Sequence, residues 1–264
     1  MNYARYRVFG PLLILFLLTF QQCAPKRKGG EDKEPGDKKS TGKSTSAAPA
    51  TISQIHFFME TSASMGGYLR GQTNFKNVVS ELITKANQIR PVKIWTIAEQ
   101  PKAFTGDYNQ FVVNLATTPL ATAKSSELHR IFRQVGEQAK GNNIALLASD
   151  CILSFPDAEI KRNAEINRDN AESVLKSQIN DQFASLKKQG ISATVYAFTS
   201  PFNGTYYDYQ NRKHPLSGES RPFYIWVIGK QELVGQFNRQ MQELLSIKPA
   251  KQLDFGASGA LKHY

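Results

Sequence analysis

Just after an apolar stretch ending at Met59, the chain places a carboxylate, Glu60, then two hydroxyls two residues apart, Ser62 and Ser64, then the glycine pair Gly66-Gly67. A second carboxylate, Asp150, follows another apolar run, Ile144-Ala145-Leu146-Leu147-Ala148-Ser149. Carboxylate and hydroxyl oxygens are hard donors. A hard cation such as Mg2+ takes them at about 2.1 Å in octahedral array, and two hydroxyls with carboxylates and waters supply that array while leaving one position open. The same residues have a plainer use, in which the serines satisfy backbone groups in a strand-to-helix turn, the glycines provide its backbone shape and Asp150 caps a turn. Nucleophilic chemistry at Ser62 or Ser64 would need a base beside it. His56 falls within an apolar stretch, His129 on a helical one, His214 in a tyrosine-rich segment and His263 at the terminus, and no two share metal-ligand spacing. A Gly-x-Ser-x-Gly elbow, a P-loop pattern and a Cys-x-x-Cys pair are absent.

What must position the oxygens is a set of strands and helices. Apolar runs of strand length occupy residues 52–59, 92–98, 143–149, 192–199 and 223–228. Helical periodicity lies between them. Phe75, Val78, Val79, Leu82, Ile83 and Ala86 share one face of a helix over 74–89, and Leu128, Ile131, Phe132 and Val135 one face over 126–139. The stretch after Pro156 becomes amphipathic through Val174, Leu175, Ile179, Phe183 and Leu186 and stops at Gly190, where a left-handed cap is expected. A last helix is predicted over 230–245. Strands that are almost wholly apolar and alternate with helices predict an α/β fold of three layers, αβα, with a mostly parallel central sheet. Functional loops of such sheets gather at the carboxyl ends of the strands. Glu60–Gly67 and Asp150 are thereby predicted to meet on one edge.

Acidic-x-Ser-x-Ser after a first strand resembles the metal-ion-dependent adhesion site of von Willebrand factor A domains, whose pattern is Asp-x-Ser-x-Ser. In that family a second loop adds a threonine before a helix and a third adds an aspartate after a later strand. The resemblance implies a Rossmann-like fold and a ligand set of Glu60, Ser62, Ser64 and Asp150 for Mg2+ or Mn2+. For the second loop it implies Ser125 or Ser126, with Thr122 behind them. It also implies that an acidic group of a partner completes the metal's coordination. Glu60 departs from the pattern, since one extra methylene moves its carboxylate outward by about 1.5 Å, against a tolerance of about 0.2 Å in ligand distance.

A second candidate surface is the segment 200–221, read as a loop, in which Tyr206, Tyr207 and Tyr209 join Tyr68 as expected partner-binding residues. Tyrosine supplies large contact area at low entropy cost, and the alternative is that these rings pack the loop onto the domain. Residues 221–229 read as an aromatic-rich core strand.

The ends of the chain point to a compartment. Residues 1–22 carry Arg5 and Arg7, then a thirteen-residue apolar run, 8–20, then Gln21-Gln22. At about 1.5 Å per residue that run covers about 20 Å, short of a hydrocarbon core of about 30 Å, so an export signal is expected rather than an anchor helix. Cys23 after the apolar run resembles the lipidated cysteine of bacterial lipoproteins, with Gln22 in place of the usual small residue. Residues 24–50 hold seven basic and four acidic groups and no large apolar residue, the composition of a flexible tether. Removing the two leader arginines and the tether's +3 from the formal +11 leaves +6 for residues 51–264, read as one domain. That balance is mild, and no cluster of Lys and Arg with interleaved aromatics suggests nucleic acid. Cys151 stands without a disulfide partner and reads as a buried apolar thiol.

Together these readings predict an exported, membrane-anchored lipoprotein, periplasmic or displayed at the surface of a bacterial outer membrane. Its von Willebrand factor A-like domain is expected to bind a protein or glycan partner of the envelope, without turnover and without nucleic acid. A structural envelope lipoprotein with an inactivated metal site is the alternative, and a metal-assisted envelope hydrolase a third.

Overall fold

The computed structural model describes residues 50–117, 119–123, 127–152, 171–208 and 212–255, all within one compact unit, Ala48–Tyr264. The residues expected to form an export signal and a tether, with Cys23, lie outside the described residues, as do Ser125, Ser126 and Tyr209.

The central strand β1 (Gln54–Glu60) is flanked in parallel by β2 (Val92–Ile97) and β4 (Asn143–Ser149), with Ile55 opposite both Val92 and Ile144. Its side chains alternate between two hydrophobic clusters. Ile55, Phe57 and Met59 enter one with helices α1 (Asn74–Ile89), α2 (Tyr108–Thr117) and α5 (Gln231–Leu244), and Phe58 enters the other with α3 (Leu128–Gln138) and α4 (Ala171–Lys188). Burial on both faces is why these strands read as continuous apolar runs. Helix α1 starts at Thr73, whose hydroxyl accepts from Lys76 N at 3.4 Å, and buries the predicted face from Phe75 to Ala86. Gly190, after α4, takes φ +74, the left-handed cap expected of it.

The chain is α/β as expected, and the sheet is open, with seven strands in the order β3 (Pro101–Ala103), β2, β1, β4, β6 (Lys213–Lys230), β5 (Ile191–Tyr207) and β7 (Lys251–Phe255). The expectation of a mostly parallel sheet is corrected. Only β1 with β2 and β1 with β4 are parallel, and the other pairings are antiparallel. The cause is the segment 200–221, which is no loop. β5 (Ile191–Tyr207) and β6 (Lys213–Lys230) continue through it as a long two-stranded ribbon, so β6 returns between β4 and β5 without a helical crossover. The register shifts at Phe202/Asn203, where Gly218 bulges out at φ +77 and donates its N–H to Asn203 Oδ1 at 2.8 Å. The ribbon escapes pattern reading because residues 213–220 are almost wholly exposed and have no apolar face to alternate.

Three elements absent from the sequence reading are β3 (Pro101–Ala103), α2 and β7 (Lys251–Phe255). Helix α2 carried a readable signal, the reciprocal cap in which Asp107 Oδ1 accepts from Gln110 N at 2.8 Å and Gln110 Oε1 accepts from Asp107 N at 3.2 Å. No described helix is long and apolar enough to cross a membrane.

Candidate functional site

Because β1 and β4 run parallel with Met59 opposite Ala148, their following residues emerge at one sheet edge. Glu60, 1% exposed, sits there beside Ser149, 0% exposed, and Asp150, 6% exposed. Ser62 Oγ donates to Glu60 Oε1 at 2.7 Å, and the Ser62 and Ser64 hydroxyls are 2.9 Å apart. The Ser149 hydroxyl donates a short bond to Glu60 Oε2 and accepts from Cys151 N at 2.8 Å. Sequence reasoning passed over Ser149, whose signal was a hydroxyl closing an otherwise apolar strand directly before Asp150.

Asp150 Oδ1 accepts from Ile152 N at 3.1 Å. Its other oxygen, Oδ2, is buried and has no hydrogen-bond partner among the described residues, although the Ser64 hydroxyl lies near enough to favour the ionised carboxyl. Burial first, and the neighbouring Glu60 second, hold this carboxyl well above the ordinary carboxylate range. Cys151 follows in the left-handed region at φ 53, an uncommon conformation for a residue with a side chain. Its residue is partly exposed, and its sulfur accepts from Trp226 Nε1 at 3.3 Å; burial pushes the thiol up to about 12, so it stays protonated and unreactive at neutral pH.

The turn carrying the two serines is a 3-10 segment, Ala63–Tyr68, with Met65 N donating to Ser62 O at 3.0 Å. A second loop reaches it directly. Ser62 and Ala123 form an isolated parallel bridge, and Ala123 N donates to Thr61 O at 3.0 Å. This brings the backbone beside Thr122 to the serines, while the Thr122 side chain is exposed. Gly66 and Gly67, expected for backbone shape, do not occupy the left-handed region. Gly67 is there for space: a Cβ on it would lie 2.3 Å from the Phe202 ring, and a Cβ on Gly204 would lie 2.9 Å from Gly67 Cα.

The structure thus brings Glu60, Ser62, Ser64 and Asp150 together. It does not leave Tyr68 available to a partner. Tyr68 is 2% exposed, donates to Pro222 O at 2.5 Å and packs edge-on against Phe202, because the 3-10 turn directs its ring into the core. Tyr206 and Tyr207 lie half-buried on β5, with Tyr206 packed against the main core cluster and stacked beneath Arg221. His56 is remote from these oxygens in role, as its Nδ1 accepts from Trp95 Nε1 at 3.3 Å.

The donors present fit a hard cation. They are two carboxylates and two hydroxyls, one carboxylate oxygen is buried without a hydrogen-bond partner, and two carboxylates buried side by side favour a positive charge between them. No group of three or more His, Cys, Asp or Glu residues placed to hold a metal ion gathers among the described residues. Comparison with protein-family models, with curated proteins and with solved structures finds no match.

Proposed function

We propose that the domain is von Willebrand factor A-like, with a three-layer Rossmann-type arrangement, and that it captures a protein or glycan partner at the edge built from Glu60, Ser62, Ser64 and Asp150. Mg2+ or Mn2+ held by these residues would supply an electrophilic position for an oxygen of the partner. The observation that carries this reading is the buried Asp150 carboxyl, close to the Glu60 carboxyl and the Ser64 hydroxyl, whose Oδ2 makes no well-formed hydrogen bond among the described residues. Helices packed against both hydrophobic clusters support the layered fold. Binding rather than turnover is favoured because, among the described residues, no histidine is bonded to either serine and the only base in contact with Ser62 is the Glu60 carboxylate, which the Ser149 hydroxyl also engages. The chain would work at the bacterial envelope, exported by its leader and held by lipid on Cys23, since multiple acyl chains contribute about 0.8 kcal/mol per buried methylene.

One observation favours the alternative of an inactivated site in a structural lipoprotein. Both Glu60 oxygens already accept serine hydroxyls, so the site is partly satisfied without a cation. Calorimetric titration of the full chain with Mg2+ and Mn2+, beside Ser62→Ala, Asp150→Ala and Glu60→Asp, decides between them. Saturable binding lost in both alanine variants is expected. Silence of the wild type with binding restored by Glu60→Asp would replace the proposal with the inactivated site, and Cys23→Ala remaining in the membrane fraction would sink the lipid anchor.

A further inference from the structure

Among the described residues the guanidinium of Arg221 has neither a hydrogen bond nor an ion pair. It lies instead over the Tyr206 ring, 3.8 Å from its centroid, half-buried. Its place in the sheet is beside the candidate site. Tyr224 is opposite Ser149, so Arg221 sits just past the end of β4, where Asp150 emerges, and the next residue, Pro222, binds the Tyr68 hydroxyl. Arg221 also shares strand parity with Phe223 and Ile225, which enter the same cluster as Ala148 and Leu146, so its side chain leaves the sheet on the face that Asp150 follows. Its charge is felt at Asp150, Tyr68 and Tyr224, consistent with that position.

An arginine stacked by one face on an aromatic ring keeps its edge N–H donors free and loses less freedom on binding, which suits bidentate capture of a planar carboxylate. The adjoining backbone favours a polypeptide as the bearer of that carboxylate. Beyond Tyr224 no described strand pairs with β6 on the side where β4 has ended, and residues 213–220 there are mostly exposed. An extended segment could lie along that edge by main-chain hydrogen bonds while an acidic side chain reaches inward.

We infer that Arg221, stacked on Tyr206 at the rim of the Glu60 and Asp150 site, grips the carboxylate side chain of an extended acidic polypeptide. The inference rests on the binding function proposed above and names the partner's chemistry. Arg221 is a specificity residue in this scheme, separate from the cation's ligands.

The test uses the full chain and blocked tripeptides, acetyl-Ala-Asp-Ala-amide and acetyl-Ala-Asn-Ala-amide, titrated by NMR in Mg2+ and again in chelator, with glucuronate as the sugar acid. The aspartyl peptide is expected to bind and the asparaginyl one to fail. Arg221→Gln should weaken the aspartyl peptide by at least about tenfold, as for loss of a charge-assisted contact, with the melting temperature unchanged and Mg2+ affinity held within about threefold. Tyr206→Leu should weaken it by about threefold through loss of the stacking face. Arg221→Lys should restore part of the affinity, because it returns the charge without the fork. Equal binding by wild type and Arg221→Gln, absence of peptide binding by the wild type in both conditions, or preference for glucuronate would each overturn the inference. Failure of Mg2+ to bind sinks only the metal reading, since dependence of the peptide on Arg221 is read in chelator as well.

Discussion

Ser149 carries more of the site than its position suggests. Its hydroxyl holds Glu60 Oε2 and caps the backbone of Cys151 at the left-handed turn, so one atom fixes both the first carboxylate and the exit of β4. Ser149→Ala leaves a buried carboxylate oxygen and an amide without that partner, and is expected to destabilise the chain by about 1–3 kcal/mol. Urea unfolding measures it, and a loss below about 0.5 kcal/mol would show that water takes over both bonds. At this scale the candidate oxygens were legible, because Glu60, Ser62, Ser64 and Asp150 could be read as hard donors following two apolar runs. The bonds among them were not legible. Whether Glu60 turns toward serine hydroxyls depends on side-chain torsions that no spacing rule encodes. Tyr68 misled for a related reason: an aromatic next to a glycine pair looks exposed until the direction of the turn is known.

The elements divide into those with a buried face and those without. Helix α1 and strands β1, β2 and β4 bury apolar side chains, and their periodicity was visible in the sequence. The outer half of the β5 and β6 ribbon buries little, so its strands looked like a loop even though Thr205, Tyr206 and Tyr207 favour extended structure. The ribbon meets the serine turn where Gly67 and Gly204 touch and Phe202 covers Gly67. Gly67→Ala drives a methyl into the Phe202 ring and is expected to destabilise the chain by about 1–3 kcal/mol. Phe202→Ala makes room for that methyl, so the double variant should be more stable than the sum of the two losses predicts. Strict additivity in a thermal or urea cycle would mean that the turn and ribbon adjust independently.

For the whole molecule, the alternation of strands and helices announced the α/β class and the first half of the sheet, while the order of its second half depended on the ribbon. The buried Asp150 carboxyl also ties global stability to pH. Asp150 titrates above its ordinary value when folded, so the folded, metal-free chain binds the extra proton. Its contribution is full below about pH 4 and fades as pH rises through the raised value. His56 acts the other way, since burial first and Lys93 second lower its proton affinity, and its contribution fades as pH falls below about 6.5. Unfolding free energy in chelator, followed from about pH 4 to 8, should therefore retain a falling component that Asp150→Asn removes. An unchanged profile in Asp150→Asn would place the titrating proton elsewhere.

The contact of Gly67 with Gly204 has a dynamic consequence. Two backbones packed so closely that neither glycine has room for a methyl have little slack to separate one at a time. The serine turn and the middle of the ribbon should then open to solvent as a single cooperative unit, at one common free energy. A polypeptide settling along the ribbon would slow that shared opening, and so lengthen the life of the very loop that holds Ser62 and Ser64.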